Sequence, residues 1–263
     1  MSERRRGFAL MLVLWLIVVL GIITTTIVVG TRESAAVSGN ARARVIGRYA
    51  AESGVAAATA AIELALDALP ETTRREQYLD HLETALPQRG ETSLGDAVFA
   101  VTLIDVSARL DVNNADERAL ARFFSQFAPS EAAGTASAVR RYIDRDPVTA
   151  DPGSQSNSRG STLVAARTLR SLDELELVPG VSLGLIRAAA PYLTVDGDGK
   201  INRVTAPDTV MVAAGGSVQD EPSRILIVSR GWLRGHTLTH EIQAVYAIAG
   251  NQLTLVRWRE RDL

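Results

Sequence analysis

The chain contains no cysteine and only three histidines among its 263 residues. Without cysteine it has no disulfide framework, although an oxidising compartment stays open to it. Zinc sites are built mainly from cysteine and histidine, so this composition argues against one. The formal net charge is only −2, which provides no overall field to draw the chain to nucleic acid or anionic lipid.

Motifs of the common enzyme classes are missing as well. No G-x-S-x-G motif surrounds a serine, and no Walker or dinucleotide-binding glycine loop is present. His236 and His240 stand four residues apart in a stretch with strand character, which would put both on one face, but no third metal ligand accompanies them. The sequence therefore predicts a protein that is not an enzyme, with both histidines at the surface or on an edge.

Charge is also absent between Arg6 and Arg32. The uncharged run from Gly7 to Thr31 has about the length that a helix needs to cross a hydrocarbon core, which takes roughly 20 residues. Its leader is too short for an ordinary secretory signal, and no small-x-small cleavage site follows the apolar block. Because arginines tend to stay cytoplasmic, a single-pass helix is expected with everything after Thr31 outside the cytoplasm. A plain membrane anchor is one reading of this segment.

Small residues dominate the next segment and recur at steps of three and four from Ala50 to Ala65. This spacing gives a helix one small-residue face that suits close packing against a sheet. The segment is rich in good helix formers and contains no proline before Pro70. The sequence therefore predicts that the helix of residues 8–31 continues in solvent to Leu69.

Alternating apolar residues predict several strands. Because strands occur on both sides of a section with helical patterns, we expect an α+β fold. A long N-terminal helix would pack on an antiparallel sheet formed by residues 32–110 and 206–263, and a mostly helical insertion would occupy residues 111–205. Within the insertion, Asn114 is a candidate N-cap with Glu117 completing a capping box. The predicted strands are Asp96–Ile104, Arg224–Ser229, Thr237–Ala249 and Gln252–Trp258, the last two joined by a tight turn at Gly250-Asn251.

The N-terminus resembles the type IV pilin and pseudopilin class, in which a short basic leader ends in glycine and a phenylalanine opens an apolar helix. The resemblance implies that residues 1–7 are a leader, that a prepilin peptidase cuts between Gly7 and Phe8, and that Phe8 becomes N-methylated. Most members have a glutamate at the fifth mature position, where this chain has Leu12. Its absence is typical of the minor pseudopilin K of type II secretion, the GspK family.

Further blocks along the chain resemble that K-type family in order and spacing. The resemblance implies a structural subunit in the bacterial inner membrane with its body in the periplasm. It would join minor pseudopilins I and J at the tip of the pseudopilus and prime and cap the assembly that exports folded proteins. The matching blocks are Arg48–Gly54, Asp111–Ala115, Arg141–Asp146, Leu172–Val181 and Ile201–Ala206, with Val256–Arg259 as the closing strand.

Calcium is the one cofactor that the resemblance suggests, because at least one family member binds it in the head domain. Oxygen-rich loops suit this ion, and Asp144, Asp146 and Asp151 are the candidate ligands. The acidic set is thinner than the family's, since Arg141 replaces its first aspartate, and these residues could instead cap helices and solvate a loop. The stretch Asp196–Lys200 resembles the start of a calcium loop but is expected to be a turn.

A second class of function comes from Leu175–Val181, which resembles a helix-hairpin-helix whose backbone amides hold a DNA phosphate. In that reading the chain would be a membrane-anchored DNA-binding or DNA-uptake protein of the pilin type. DNA binding draws most of its affinity from lysine and arginine, however, and the surrounding charges are Asp173, Glu174 and Glu176, with only Arg187 opposing them. The hairpin is therefore expected to be a packing device, with no nucleic acid as partner.

Overall fold

The computed structural model describes residues 3–69, 71–82, 90–144, 168–214 and 218–263. Side chains are described over the same ranges except for 3–10, 12 and 23–35 in the first helix. That helix, α1, is continuous from Glu3 to Ala68 over 66 residues. At 1.5 Å per residue its length is about 100 Å. It ends within one residue of the predicted Leu69.

Elsewhere in the described ranges there are short helices and nine strands, the last two of which form a β-hairpin. In chain order they are α2 (Thr72–Asp80), β1 (Thr92–Leu94), β2 (Ala97–Asp105), a 3₁₀ turn (Val106–Ala108), β3 (Leu110–Asp111), α3 (Glu117–Phe124), α4 (Ala132–Asp144), a 3₁₀ helix (Leu172–Leu177), α5 (Leu183–Ala189), a 3₁₀ turn (Ala190–Tyr192), β4 (Leu193–Thr194), β5 (Ile201–Asn202), α6 (Asp208–Met211), β6 (Val218–Gln219), β7 (Arg224–Leu233), β8 (Thr239–Ala249) and β9 (Gln252–Asp262).

The main sheet has five antiparallel strands in the order β1-β2-β7-β8-β9. Strand β2 pairs directly with β7, from Ala97 opposite Leu233 to Asp105 opposite Ile225. The chain between β2 and β7 therefore leaves the sheet after Asp105 and returns to it beside the same residue, at Ile225. This arrangement confirms the predicted α+β fold, with a long helix on an antiparallel sheet that a mostly helical section interrupts. The exact unit boundaries at 110/111 and 205/206 stay a prediction.

Helix α1 packs on one face of this sheet through the small-residue stripe seen in the sequence. Ala51, Ala58 and Ile62 are completely buried there, against Ile227 of β7 and Ile242 of β8, among others. Small side chains let the helix backbone come close to the strands, so the packing buries much apolar surface with few atoms on the helix side.

Glycines mark the point of closest approach between α1 and β7. A Cβ atom on Gly231 would collide with the carbonyl oxygen of Gly47 and the amide nitrogen of Ala51, which are both backbone atoms of α1. A Cβ atom on Gly54 would likewise collide with the Oγ atom of Ser229. The two backbones therefore touch at Gly231, and neither glycine leaves room for a side chain larger than hydrogen.

The section between β2 and β7 has a hydrophobic core of its own. Leu120, Phe123 and Phe124 of α3 are completely buried in it, and the two phenylalanine rings lie 5.4 Å apart in an edge-on arrangement. The predicted N-cap of α3 was wrong by two residues. Asp116 is the cap and accepts a hydrogen bond from the amide of Ala119 at 2.6 Å, whereas Asn114 donates to the Asp111 carboxylate.

Candidate functional site

The N-terminal part of α1 presents a continuous apolar surface to its surroundings. Six consecutive positions from Val13 to Val18 carry large apolar side chains, so at 3.6 residues per turn the surface encircles the helix. An exposed apolar surface of this extent is unfavourable in water and calls for a lipid or protein cover. The exposed side chains, each 49 to 73% accessible, are Met11, Val13, Leu14, Trp15, Leu16, Ile17, Val18, Leu20 and Ile22.

Gly7, Phe8 and Leu12 lie in the first turns of the same helix. Cleavage at Gly7, methylation of Phe8 and the consequence of Leu12 stay predictions. Within the part of the chain that the structure describes, no helix is long and apolar enough to cross a membrane.

Residues of the matched sequence blocks form the joints between the sheet and the section inserted into it. The side chain of Asn202 is fully buried and donates from Nδ2 to Oδ2 of Asp105, the last residue of β2, at 2.9 Å. Thr205 Oγ1 donates to the same oxygen at 2.5 Å, and the amide of Ser107 donates to Oδ1 at 2.7 Å. The block Ile201–Ala206 therefore fastens the end of the inserted section to the end of β2.

A second joint lies inside the inserted section, at Asn113 of the block Asp111–Ala115. Its Nδ2 atom donates to the carbonyl oxygens of Leu169 and Val195, at 3.1 and 3.0 Å. Its Oδ1 atom accepts a hydrogen bond from the amide of Leu169 at 2.8 Å. One side chain thus joins two distant backbone segments, because its amide donates and accepts hydrogen bonds as a backbone peptide group does. An asparagine side chain supplies both the donor and the acceptor that this position uses.

Asp196 connects the inserted section to strand β9. It is 8% exposed, and its carboxylate contacts the guanidinium groups of Arg257 and Arg259 at 2.8 and 2.9 Å. Arg224 of β7 donates to the carbonyl oxygens of Asp196 and Gly197, at 2.6 Å in both cases. These charge-assisted hydrogen bonds explain the arginines of the closing strand. The stretch that follows Asp196 is the tight connection between β4 and β5 that was predicted as a turn.

Glu241 of β8 is a fully buried carboxylate on the sheet face opposite α1. Burial alone would raise its pKa, but hydrogen bonds from Arg230, Gln243 and Arg261 outweigh it and hold the pKa of Glu241 below its ordinary value of 4.5. Arg230 Nε and Arg261 Nη2 each lie 2.7 Å from a Glu241 oxygen. The two arginines thus connect the neighbouring strands β7 and β9 to Glu241 on β8, which lies between them.

Replacing Glu241 with glutamine should lower the free energy of unfolding by about 2 kcal/mol at pH 7, because two arginines lose their buried partner. The pKa of Glu241 is lower in the folded chain, so its contribution is complete above pH 4.5 and disappears as the pH falls through the folded-state pKa. Urea unfolding at several pH values should therefore show the difference between wild type and Glu241→Gln shrinking below pH 4.5. Glu176→Gln, at an exposed position, serves as the control. A difference that stays constant down to acid pH would contradict this role.

The calcium candidates are only partly within the described residues. Asp144 accepts a hydrogen bond from Arg140 Nη2 at 2.6 Å, and Arg140 also donates to the carbonyl oxygens of Asn113 and Ala115. Asp144 therefore helps to orient an arginine that joins α4 to the start of the inserted section. Asp146 and Asp151 lie outside the described residues. Among those that are described, no group of three or more carboxylate or histidine side chains could hold a metal ion.

The hairpin at Val178–Val181 is a tight turn between the 3₁₀ helix Leu172–Leu177 and α5. Gly180 has a φ angle of +84°, a conformation that glycine adopts without strain. Asp173 and Glu176 are exposed before the turn, and Arg187 is exposed after it. Acidic side chains thus outnumber basic ones around the turn, which disfavours contact with a phosphate backbone.

No protein-family model and no curated protein matches the chain. Among solved structures, a chain in the crystal structure of the GspK–GspI–GspJ complex from the enterotoxigenic Escherichia coli type 2 secretion system is similar, with a TM-score of 0.52 and 14% sequence identity. The similarity covers 83% of this chain and 99% of that chain. The chain has a pseudopilin-like fold. At this identity the likeness concerns the fold, and it agrees with the architecture that the sequence predicted.

Within the pseudopilin-like fold, the two histidines have different surroundings. His236 lies in the connection between β7 and β8, outside the strands. The side chain of His240 is only 11% exposed, and its two ring nitrogens lie 2.8 Å from Asp262 and 3.3 Å from Glu260. His240 is thus partly buried and links β8 to β9.

Proposed function

We propose that this protein is the K-type minor pseudopilin of a type II secretion system, a non-enzymatic structural subunit at the tip of the pseudopilus. Its partners would be the minor pseudopilins I and J. The observation that supports this best is a helical section inserted between two adjacent strands of a pilin-like sheet and held there by residues of the matched blocks, such as Asn202 and Arg259. A helix of 66 residues, whose C-terminal part packs on the sheet, supports it further.

The apolar surface of α1 from Met11 to Ile22 is proposed to lie first in the inner membrane and then among the helices of the assembled pseudopilus. Both surroundings would cover side chains that are otherwise exposed. The leader would remain in the cytoplasm until a prepilin peptidase removes it, and the sheet and inserted section would lie in the periplasm.

Leu12 and the inserted section together suit a position at the end of an assembly. A carboxylate within an apolar helix bundle is costly unless it is paired, and the family's glutamate is thought to pair with the N-terminal amine of a neighbouring subunit. With Leu12 in its place, this subunit lacks that reason to be inserted above another one. The large inserted section widens the head, which favours growth beneath it.

The experiment that tests this function is intact-mass measurement with N-terminal sequencing of the protein from its native membrane. We expect the mature chain to begin at Phe8 and to carry one additional methyl group, because Gly7 and Phe8 form the cleavage pattern of a prepilin. A chain that retains Met1 or Ser2 would be an ordinary membrane anchor, and the pseudopilin assignment would be wrong.

A further inference from the structure

We draw no further inference here: the strongest candidate, the outer edge of strand β9, along which Leu255, Val256 and Trp258 are exposed and no described strand pairs, carries no proposal because nothing in the structure shows what covers it.

Discussion

Replacing Gly7 with alanine should leave residues 1–7 attached to the chain and prevent its entry into a pseudopilus. In the proposed function a prepilin peptidase cuts directly after Gly7, so without this glycine the amine of Phe8 would not be released. The attached leader would keep Arg4, Arg5 and Arg6 next to the apolar helix, where burying them among other helices is costly. Intact mass should show the uncleaved chain, and secretion in a strain without the wild-type copy should fall to the level of the deletion.

Gly21→Ala is the matched control for this experiment. Gly21 lies in the same apolar part of α1, and a Cβ atom there would meet nothing within 4 Å. This variant should be cleaved, methylated and functional, since alanine is a better helix former than glycine. Normal processing and secretion by Gly7→Ala would mean that the N-terminus is not a prepilin signal.

Replacing Gly231 with alanine should lower the free energy of unfolding by about 3 kcal/mol, near the upper end for overpacked positions. The added Cβ atom would collide with backbone atoms of Gly47 and Ala51, and backbone cannot move aside as a flexible side chain does. To accommodate it, α1 would have to move away from β7 and open the core between them. Chemical denaturation of the full-length protein in detergent measures the change.

Gly134→Ala provides the comparison, because Gly134 lies within α4 and a Cβ atom there would meet nothing within 4 Å. Alanine should stabilise this helix by up to about 1 kcal/mol. The two substitutions are chemically identical, so opposite signs would separate the close approach of α1 to β7 from any general effect of losing a glycine. A Gly231→Ala variant as stable as wild type would contradict the described packing.

The main fold could be predicted from the sequence because its elements have regular patterns. The alternation of apolar and polar residues predicted strand β8 from Thr237, and the strand begins at Thr239. The hairpin turn at Gly250 has a φ angle of +63°, as a tight turn with glycine requires. The small residues of α1 likewise predicted a helix that packs closely on a sheet. In each case the local pattern and the tertiary environment favour the same structure.

Helix α2 could not be predicted, since the segment Thr72–Asp80 is almost entirely polar. Only Leu79 is buried in it, so it lacks the apolar stripe by which a surface helix is recognised. The prediction of the N-cap of α3 was wrong for a different reason. Asn114 and Asp116 are equally suitable as N-caps, and the choice depends on Asn114 being engaged by Asp111.

The ionic contacts between distant residues were beyond sequence reasoning. Asp196 and Arg259 are far apart in the chain, and neither stands in a spacing that indicates a partner. Nothing in the sequence distinguishes Glu241 from the other acidic residues, because its partners Arg230 and Arg261 lie on the separate strands β7 and β9. By contrast, Arg140 and Asp144 are four residues apart on one helix, a spacing from which their pairing could have been predicted.

The direct pairing of β2 with β7 has a consequence for how the chain folds. Joining these strands closes a loop of roughly 120 residues, and an unstructured loop of that length carries a large entropic cost. The section within the loop has its own core around Phe123 and can form from contacts that are closer in sequence. Once the inserted section is compact, the flanking residues Asp105 and Ile225 already lie side by side. Strands β2 and β7 then need little further conformational search to pair. The inserted section would thus fold first and act as the template on which the sheet is completed.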